Sequence, residues 1–415
     1  MGFVETLTAI IISFSLLGVL LYKRVNLGIT LSATALLLAF LSLNWQEIPA
    51  IIFETTFDLL TISVVLATFG IMLLSQLYKE TSVINDLSKS LSRIINNPKV
   101  VSGVLPAVIG FLPVAGGALM SAPLVDSETK KLGLKPEKKA YVNLWFRHTI
   151  FPVYPISQLL IVTAALTEIN IPLIILRHIP VVAVMIIVGY IISFWRVSDA
   201  KNRENSKIED RLNSDLKGFL VAFSPILATI VVAIGLDLAG FGLAKLGFDV
   251  LIATFIGLVV LIAISKMNLQ VFMRPFKSWG IYGITLAAYG AFLLKNVMVA
   301  TGIPEVLKAF VTNGSVDIIL LLTVVPAVLG FLTGSALGGV TISVPILYGI
   351  LTTFSPRTAA LVYMGSYLGY LITPTHLCFA FTADYFKSSL GKIYKYLIPA
   401  TAVSFTAAIL VYLLI

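Results

Sequence analysis

Apolar residues along the 415-residue chain come in long runs rather than in narrow stripes. A helix crossing the hydrocarbon of a bilayer needs about 20 mostly apolar residues, and about 17 suffice. Runs of that kind lie at 3–22, 27–43, 58–78, 141–166, 171–195, 218–240, 248–265, 278–298, 357–386 and 393–415. Two further apolar stretches, 100–125 and 317–347, are interrupted at their centres by Gly, Pro, Ser and Thr. Segments 80–96 and 301–312 are short and amphipathic, and predict helices lying along the membrane surface. The pattern predicts an all-α polytopic membrane protein.

Composition agrees. With 58% apolar and only 12% charged residues, the chain departs from soluble domains, which carry about 25% charged residues, and from disordered chains. The net charge of +9 would suit nucleic acid, but its placement gives another reading. If 100–125 and 317–347 are hairpins that enter and leave on one face, 24 of the 29 lysines and arginines, Arg147 included, fall on a single side. The positive-inside rule makes that side the cytoplasm. It puts both termini outside an inner (cytoplasmic) membrane and the linker 196–217 inside. A full crossing at either stretch would collapse the asymmetry, so re-entrant hairpins are expected. The first span reads as a retained helix, because Lys23-Arg24 follows it and no basic residue precedes it. One cysteine, Cys378, excludes a disulfide framework and a thiolate cluster, and His148, His178 and His376 lack local zinc spacing.

Self-similarity is the strongest signal. Residues 104–112 read VLPAVIGFL and residues 324–332 read VVPAVLGFL, identical at seven of nine positions. GGALMSAP at 116–123 then pairs with GGVTISVP at 338–345, and Pro155 pairs with Pro374. Repeat one spans 1–195, with hairpin 100–125 and broken helix 141–166. Repeat two spans 218–415, with hairpin 317–347 and broken helix 357–386. Five crossings plus one hairpin per copy is an odd count, so the copies are expected in inverted topology, with a site at their interface near the midplane.

Non-helical backbone survives at membrane depth only inside protein or beside a wet cavity. Candidate substrate and ion contacts therefore cluster at the interruptions: Pro113, Gly116, Gly117 and Ser121 in the first hairpin, and Thr333, Ser335, Gly338, Gly339, Thr341 and Ser343 in the second. The proline breaks add Thr149, Tyr154, Pro155 and Ser157, and Thr373, Pro374, Thr375 and His376. Hydroxyls and freed carbonyls suit a hard cation such as Na⁺, and free N–H ends suit a carboxylate. Arg147 and His148 are the candidates to meet an anion, with Arg147 also readable as a snorkelling member of the cytoplasmic basic cluster. His376 is also readable as a packed, hydrogen-bonded histidine. Glycine spacings such as Gly334/Gly338 and Gly365/Gly369 also fit simple close packing.

A duplicated unit of crossings, surface helix, hairpin and broken helix with paired GFL…GG…S.P tips resembles the ion transporter superfamily. That group includes divalent-anion/sodium symporters, citrate, gluconate and arsenite permeases, and the large membrane subunit of tripartite periplasmic carriers. The likeness is closest to an uncharacterised prokaryotic integral membrane family within it. The resemblance implies an elevator-type transporter working as a homodimer. It also implies that Ser121 and Ser343, with their tip glycines, contribute to ion and substrate binding. Neither tip carries the asparagine of the symporters' Ser-Asn-Thr pattern.

The expected function is secondary transport of a small organic anion coupled to Na⁺ or H⁺, with lipid and that anion as partners. No other cofactor is expected, and no metal beyond Na⁺ at the tips. Absence of a P-loop, HExxH and GxSxG argues against ATP hydrolysis and an enzyme. A subunit of a solute-binding-protein-dependent carrier and a channel are the alternatives.

Overall fold

The computed structural model describes residues 3–95, 97–111, 117–198, 209–240, 242–301, 317–351 and 353–415, and its regular elements are helices. Helix starts follow local chemistry. Asn26, Asp58, Asn97 and Asp317 each accept hydrogen bonds from the first turn through a side-chain oxygen. The helices starting at Ile48, Pro98, Pro136, Ile171 and Pro356 carry proline in the first turn, where its missing N–H leaves no bond unmade.

The first half runs α1 (Phe3–Tyr22), α2 (Leu27–Ser42), α3 (Ile48–Phe57), α4 (Leu59–Glu80), α5 (Val83–Ile94), α6 (Pro98–Gly110), α7 (Ala118–Lys131), α8 (Pro136–Thr149), α9 (Gln158–Thr167) and α10 (Ile171–Phe194). The second runs α11 (Glu209–Leu238), α12 (Phe248–Ser265), α13 (Leu269–Met273), α14 (Trp279–Ala300), α15 (Ile318–Thr333), α16 (Ala336–Leu351), α17 (Pro356–Ile372), α18 (Leu377–Tyr385) and α19 (Leu390–Leu414). Among the described residues, seven helices are long and apolar enough to cross a membrane, the α8–α9 run counting as one. This is the make-up of a multi-pass membrane protein. The surface helix expected at 80–96 is α5; the one expected at 301–312 lies outside the described residues. Helix α3 was not expected.

Packing is layered around the broken helices. α6 packs on α7 and both pack on α8; likewise α15 packs on α16 and both pack on α17. α6 and α15, at 13 and 16 residues, are about 20 and 24 Å long at 1.5 Å per residue, too short to span a ~30 Å core. The halves interlock: α7 touches α18, α16 touches α9, α8 touches α19, and α10 touches α17. α2 lies along α14, and α4 along α12.

Burial marks the centre. Residues 139–149 of α8 and 158–167 of α9 are buried throughout, as is most of α17. The outer helices instead expose apolar side chains such as Leu176, Ile187, Val231, Phe255 and Ile398. Helices apolar all round, with their outer faces bare, suit lipid as solvent. The glycine of each VxPAVxGFL run permits a close approach: a Cβ on Gly110 would overlap the Arg147 carbonyl oxygen, and one on Gly330 the Ser366 carbonyl oxygen.

Candidate functional site

Proline sets both breaks. α8 ends at Thr149, and Pro152 and Pro155 carry no N–H, so the chain passes through a short 3-10 turn and extended Tyr154 before α9 begins at Gln158. α17 ends at Ile372, and Thr373 is extended, as a residue before proline prefers; α18 follows from Leu377. Carbonyls freed by the breaks need donors in an apolar interior. Tyr367 and Tyr363 of α17 donate to the carbonyls of His148 and Phe151, the latter at 3.0 Å, and Tyr394 of α19 donates to Ile372 at 2.8 Å. The His178 Nδ1 bonds the Pro152 carbonyl at 2.7 Å. Phenols of the second broken helix thus complete the backbone of the first.

Where the two breaks meet, chemistry collects. Arg147 is 1% exposed, His148 2% and His376 1%, so Arg147 is an interior residue rather than a snorkelling one. The two imidazoles stand edge to face with centroids 4.8 Å apart, and Tyr370 lies 4.0 Å from His376. The His148 Nδ1 lies 2.7 Å from the Leu144 carbonyl, so Nδ1 carries the proton and Nε2 faces away with its lone pair. Cys378, in the first turn of α18 and buried, brings its sulfur to the same place: ligand atoms of His148, His376 and Cys378 all lie within 4.8 Å of one another. His148 thus meets His376 and Cys378 across 228 or more positions of sequence, a cluster that local spacing could not reveal.

The hairpin ends approach the breaks. Pro113 and Gly116 lie outside the described residues. Gly117 is buried at the start of α7, and Phe111, ending α6, packs edge-on against Tyr154 at 4.8 Å. The Ser121 hydroxyl donates to Asn143 Oδ1 at 2.7 Å, while Asn143 Nδ2 donates to the Ala118 carbonyl at 3.0 Å and to Thr382 at 3.1 Å. An asparagine therefore does reach the first hairpin, supplied through space by α8. In the second hairpin the chain turns at Gly334 (φ +64°), which sits against Thr375 of the second break. The Ser335 hydroxyl caps α16 by accepting from Gly338 N–H at 3.1 Å, and Thr333 Oγ1 lies 2.7 Å from the Leu329 carbonyl. Thr341 and Ser343 are fully buried and face carbonyls of their own helix, and Gly339 packs against Ser366. Thr373 and Thr375 share a 3.0 Å hydrogen bond beside exposed Pro374, Thr149 bonds back to Phe146, and Ser157 is buried at the start of α9. The structure brings Gly334 to Thr375, and Ser121 to Asn143. It leaves Ser343 as an internal contact of its hairpin.

A cavity of about 670 Å³ reaches the first break at Pro155 and is lined by apolar side chains together with Asp58, Glu168, Asp237 and Asp249. Glu168 accepts from Lys295 at 2.8 Å and from Tyr348 at 3.0 Å, tying the end of α9 to α14 and α16. The hydrogen bond from Lys295 holds the Glu168 carboxyl below the usual glutamate range, against the opposing pull of partial burial.

Residues 6–415 match the family described as "Protein of unknown function (DUF401)", and the chain belongs to that family. No curated protein sequence matches it. Among solved structures, the fold is similar to that of the Alcanivorax borkumensis YdaH transporter, whose crystal structure is described as revealing an unusual topology. The TM-score is 0.64 at 14% identity, covering 89% of each chain.

Proposed function

We propose that this DUF401 member is a secondary transporter that moves a small organic anion across the inner membrane, coupled to Na⁺ or H⁺. Fold likeness to a protein named as a transporter supports transport at the coarse level. The observation that carries the anion is Arg147: a guanidinium 1% exposed, one residue from His148, where two broken helices from opposite halves of the chain converge. Arginine is the side chain suited to gripping a carboxylate through two hydrogen bonds in a desolvated setting. The matched packing of α6–α7–α8 and α15–α16–α17 supports an inverted repeat of the kind expected from the sequence. In this reading those elements form a moving body and α2, α4, α12 and α14 a scaffold, dimeric by resemblance to the ion transporter superfamily.

Counterflow in proteoliposomes tests it. Internal unlabelled carboxylate is expected to accelerate entry of labelled carboxylate, and Arg147→Gln, checked as monodisperse by gel filtration, to lose at least ten-fold of that exchange. Absence of accelerated exchange for every small carboxylate tried, from folded protein, overturns the proposal.

One observation favours a second reading. Four carboxylates line the large cavity, and among the described residues only Glu168 of the four is paired with a lysine. Such a vestibule attracts cations and repels anions. A cationic or zwitterionic solute accelerating exchange where carboxylates fail would select this reading.

A further inference from the structure

We infer that His148, His376 and Cys378 form a binding site for a d¹⁰ metal cation, Zn²⁺ or Cu⁺, in the core where the two broken helices meet. The inference concerns these ligand atoms alone and stands whether or not the chain carries an anion.

Three donor atoms lie mutually within 4.8 Å, so a common centre exists within about 2.8 Å of all of them. Zinc bonds run about 2.0–2.1 Å to nitrogen and about 2.3 Å to sulfur. Side-chain shifts of about 0.5–0.8 Å therefore bring all three donors to bonding distance and leave a fourth position open. Two imidazoles and a thiolate are the donor set that borderline and soft cations select over Na⁺, Mg²⁺ or Ca²⁺.

Two independent details point to a ligand. First, the His148 ring is oriented by its Nδ1–H on the Leu144 carbonyl at 2.7 Å, which leaves Nε2 as the donor; metal-binding histidines are held in this manner by their other nitrogen. Second, His376 is 1% exposed, and neither of its ring nitrogens makes a hydrogen bond of normal geometry, the Leu371 carbonyl acting on it as a backbone acceptor without one. A buried imidazole left in that condition is destabilising unless something engages it. A metal ion would do so.

Charge is balanced by the sulfur. Arg147 is within electrostatic reach of both histidines, so a further cation needs an anionic ligand beside it. Cys378 supplies one by losing its thiol proton to solvent as the metal–sulfur bond forms.

The full-length protein, purified in detergent under reducing conditions and stripped by a chelator, is titrated separately with Zn²⁺ and Cu⁺, and metal per chain is measured after gel filtration. About one equivalent of at least one of them is expected. In parallel, Co²⁺ is expected to give a thiolate-to-cobalt charge-transfer absorption in the wild type. Cys378→Ser, nearly the same size, is expected to remove that absorption and weaken retention more than ten-fold, and His376→Gln to weaken retention likewise. Failure of folded wild-type protein to retain either metal overturns the site, as does retention undiminished in Cys378→Ser. Neither result bears on the counterflow experiment, so the two proposals fail separately.

Discussion

Gly330 lies directly against the backbone carbonyl of Ser366, with no room for a methyl group between them. Gly110 stands in the same relation to the Arg147 carbonyl. Gly110 ends α6 and Gly330 lies in the last turn of α15, each against the broken helix that follows it, so a glycine shared by the two runs sets how closely hairpin and broken helix pack.

Gly330→Ala and Gly110→Ala are therefore expected to destabilise the protein by about 1–3 kcal/mol through overpacking. The obstacle is backbone, which cannot swing aside. Gly18, in α1 with nothing near its Cα, serves as the contrast: Gly18→Ala is expected to be neutral or to stabilise by up to about 1 kcal/mol. Thermal unfolding in detergent, read side by side for the three variants, checks the order.

Asn143 uses both ends of its amide to hold three helices. Asn143→Ala leaves the buried Ser121 hydroxyl and the Ala118 carbonyl without that amide, and a cost of about 1–3 kcal/mol is expected. Asn143→Asp keeps the acceptor for Ser121 but loses both donations, and is expected to be no better than alanine. Denaturation midpoints of the two variants provide the comparison.

The Glu168–Lys295 pair predicts a pH dependence. A carboxyl whose folded pKa is lowered contributes stability above its unfolded value, near 4.5, and loses it as pH falls through the folded value. Glu168 is 63% exposed in its side chain, so the contribution is that of a screened pair, about 0.2–1 kcal/mol. The wild type is expected to exceed Glu168→Gln in melting temperature at neutral pH, with the gap closing below pH 4.5. A gap constant with pH would remove the ion pair as its cause.

Orientation is tested at the exposed Lys130, whose side chain is 68% accessible. In a Cys378→Ser background, Lys130→Cys is expected to react with an impermeant maleimide only after the cytoplasmic face is opened. Labelling of intact cells would reverse the assigned orientation.

Much of the helical layout was legible because the solvent is lipid. Apolar runs bounded by Asn26, by Pro172 or by Gly247 have few ways to end, and α2, α10 and α12 fall within a residue or two of the runs read from sequence. The ten residues of α3 escaped notice because they sit between Trp45 and Asp58 without the length of a crossing. The prolines at 152, 155 and 374 marked the breaks, since a missing N–H is a local property. What they meet is not local. Asn143 was one polar residue in an apolar run, and its bond to Thr382 spans 239 positions. Cys378 counted against a metal cluster while it was considered alone, and His148 joins it and the neighbouring His376 only through the packing of α8 against α18. Arg147 was equally compatible with snorkelling until packing enclosed it.

Tyr363 and Tyr367 grip main-chain oxygens rather than side chains in the first break. An oxygen of that kind is present whatever residue occupies positions 148 and 151. Changing His148 or Phe151 therefore alters the side chains at this crossing while the struts that brace it stay in place, whereas exchanging either phenol for phenylalanine would remove a strut and leave those side chains as they were.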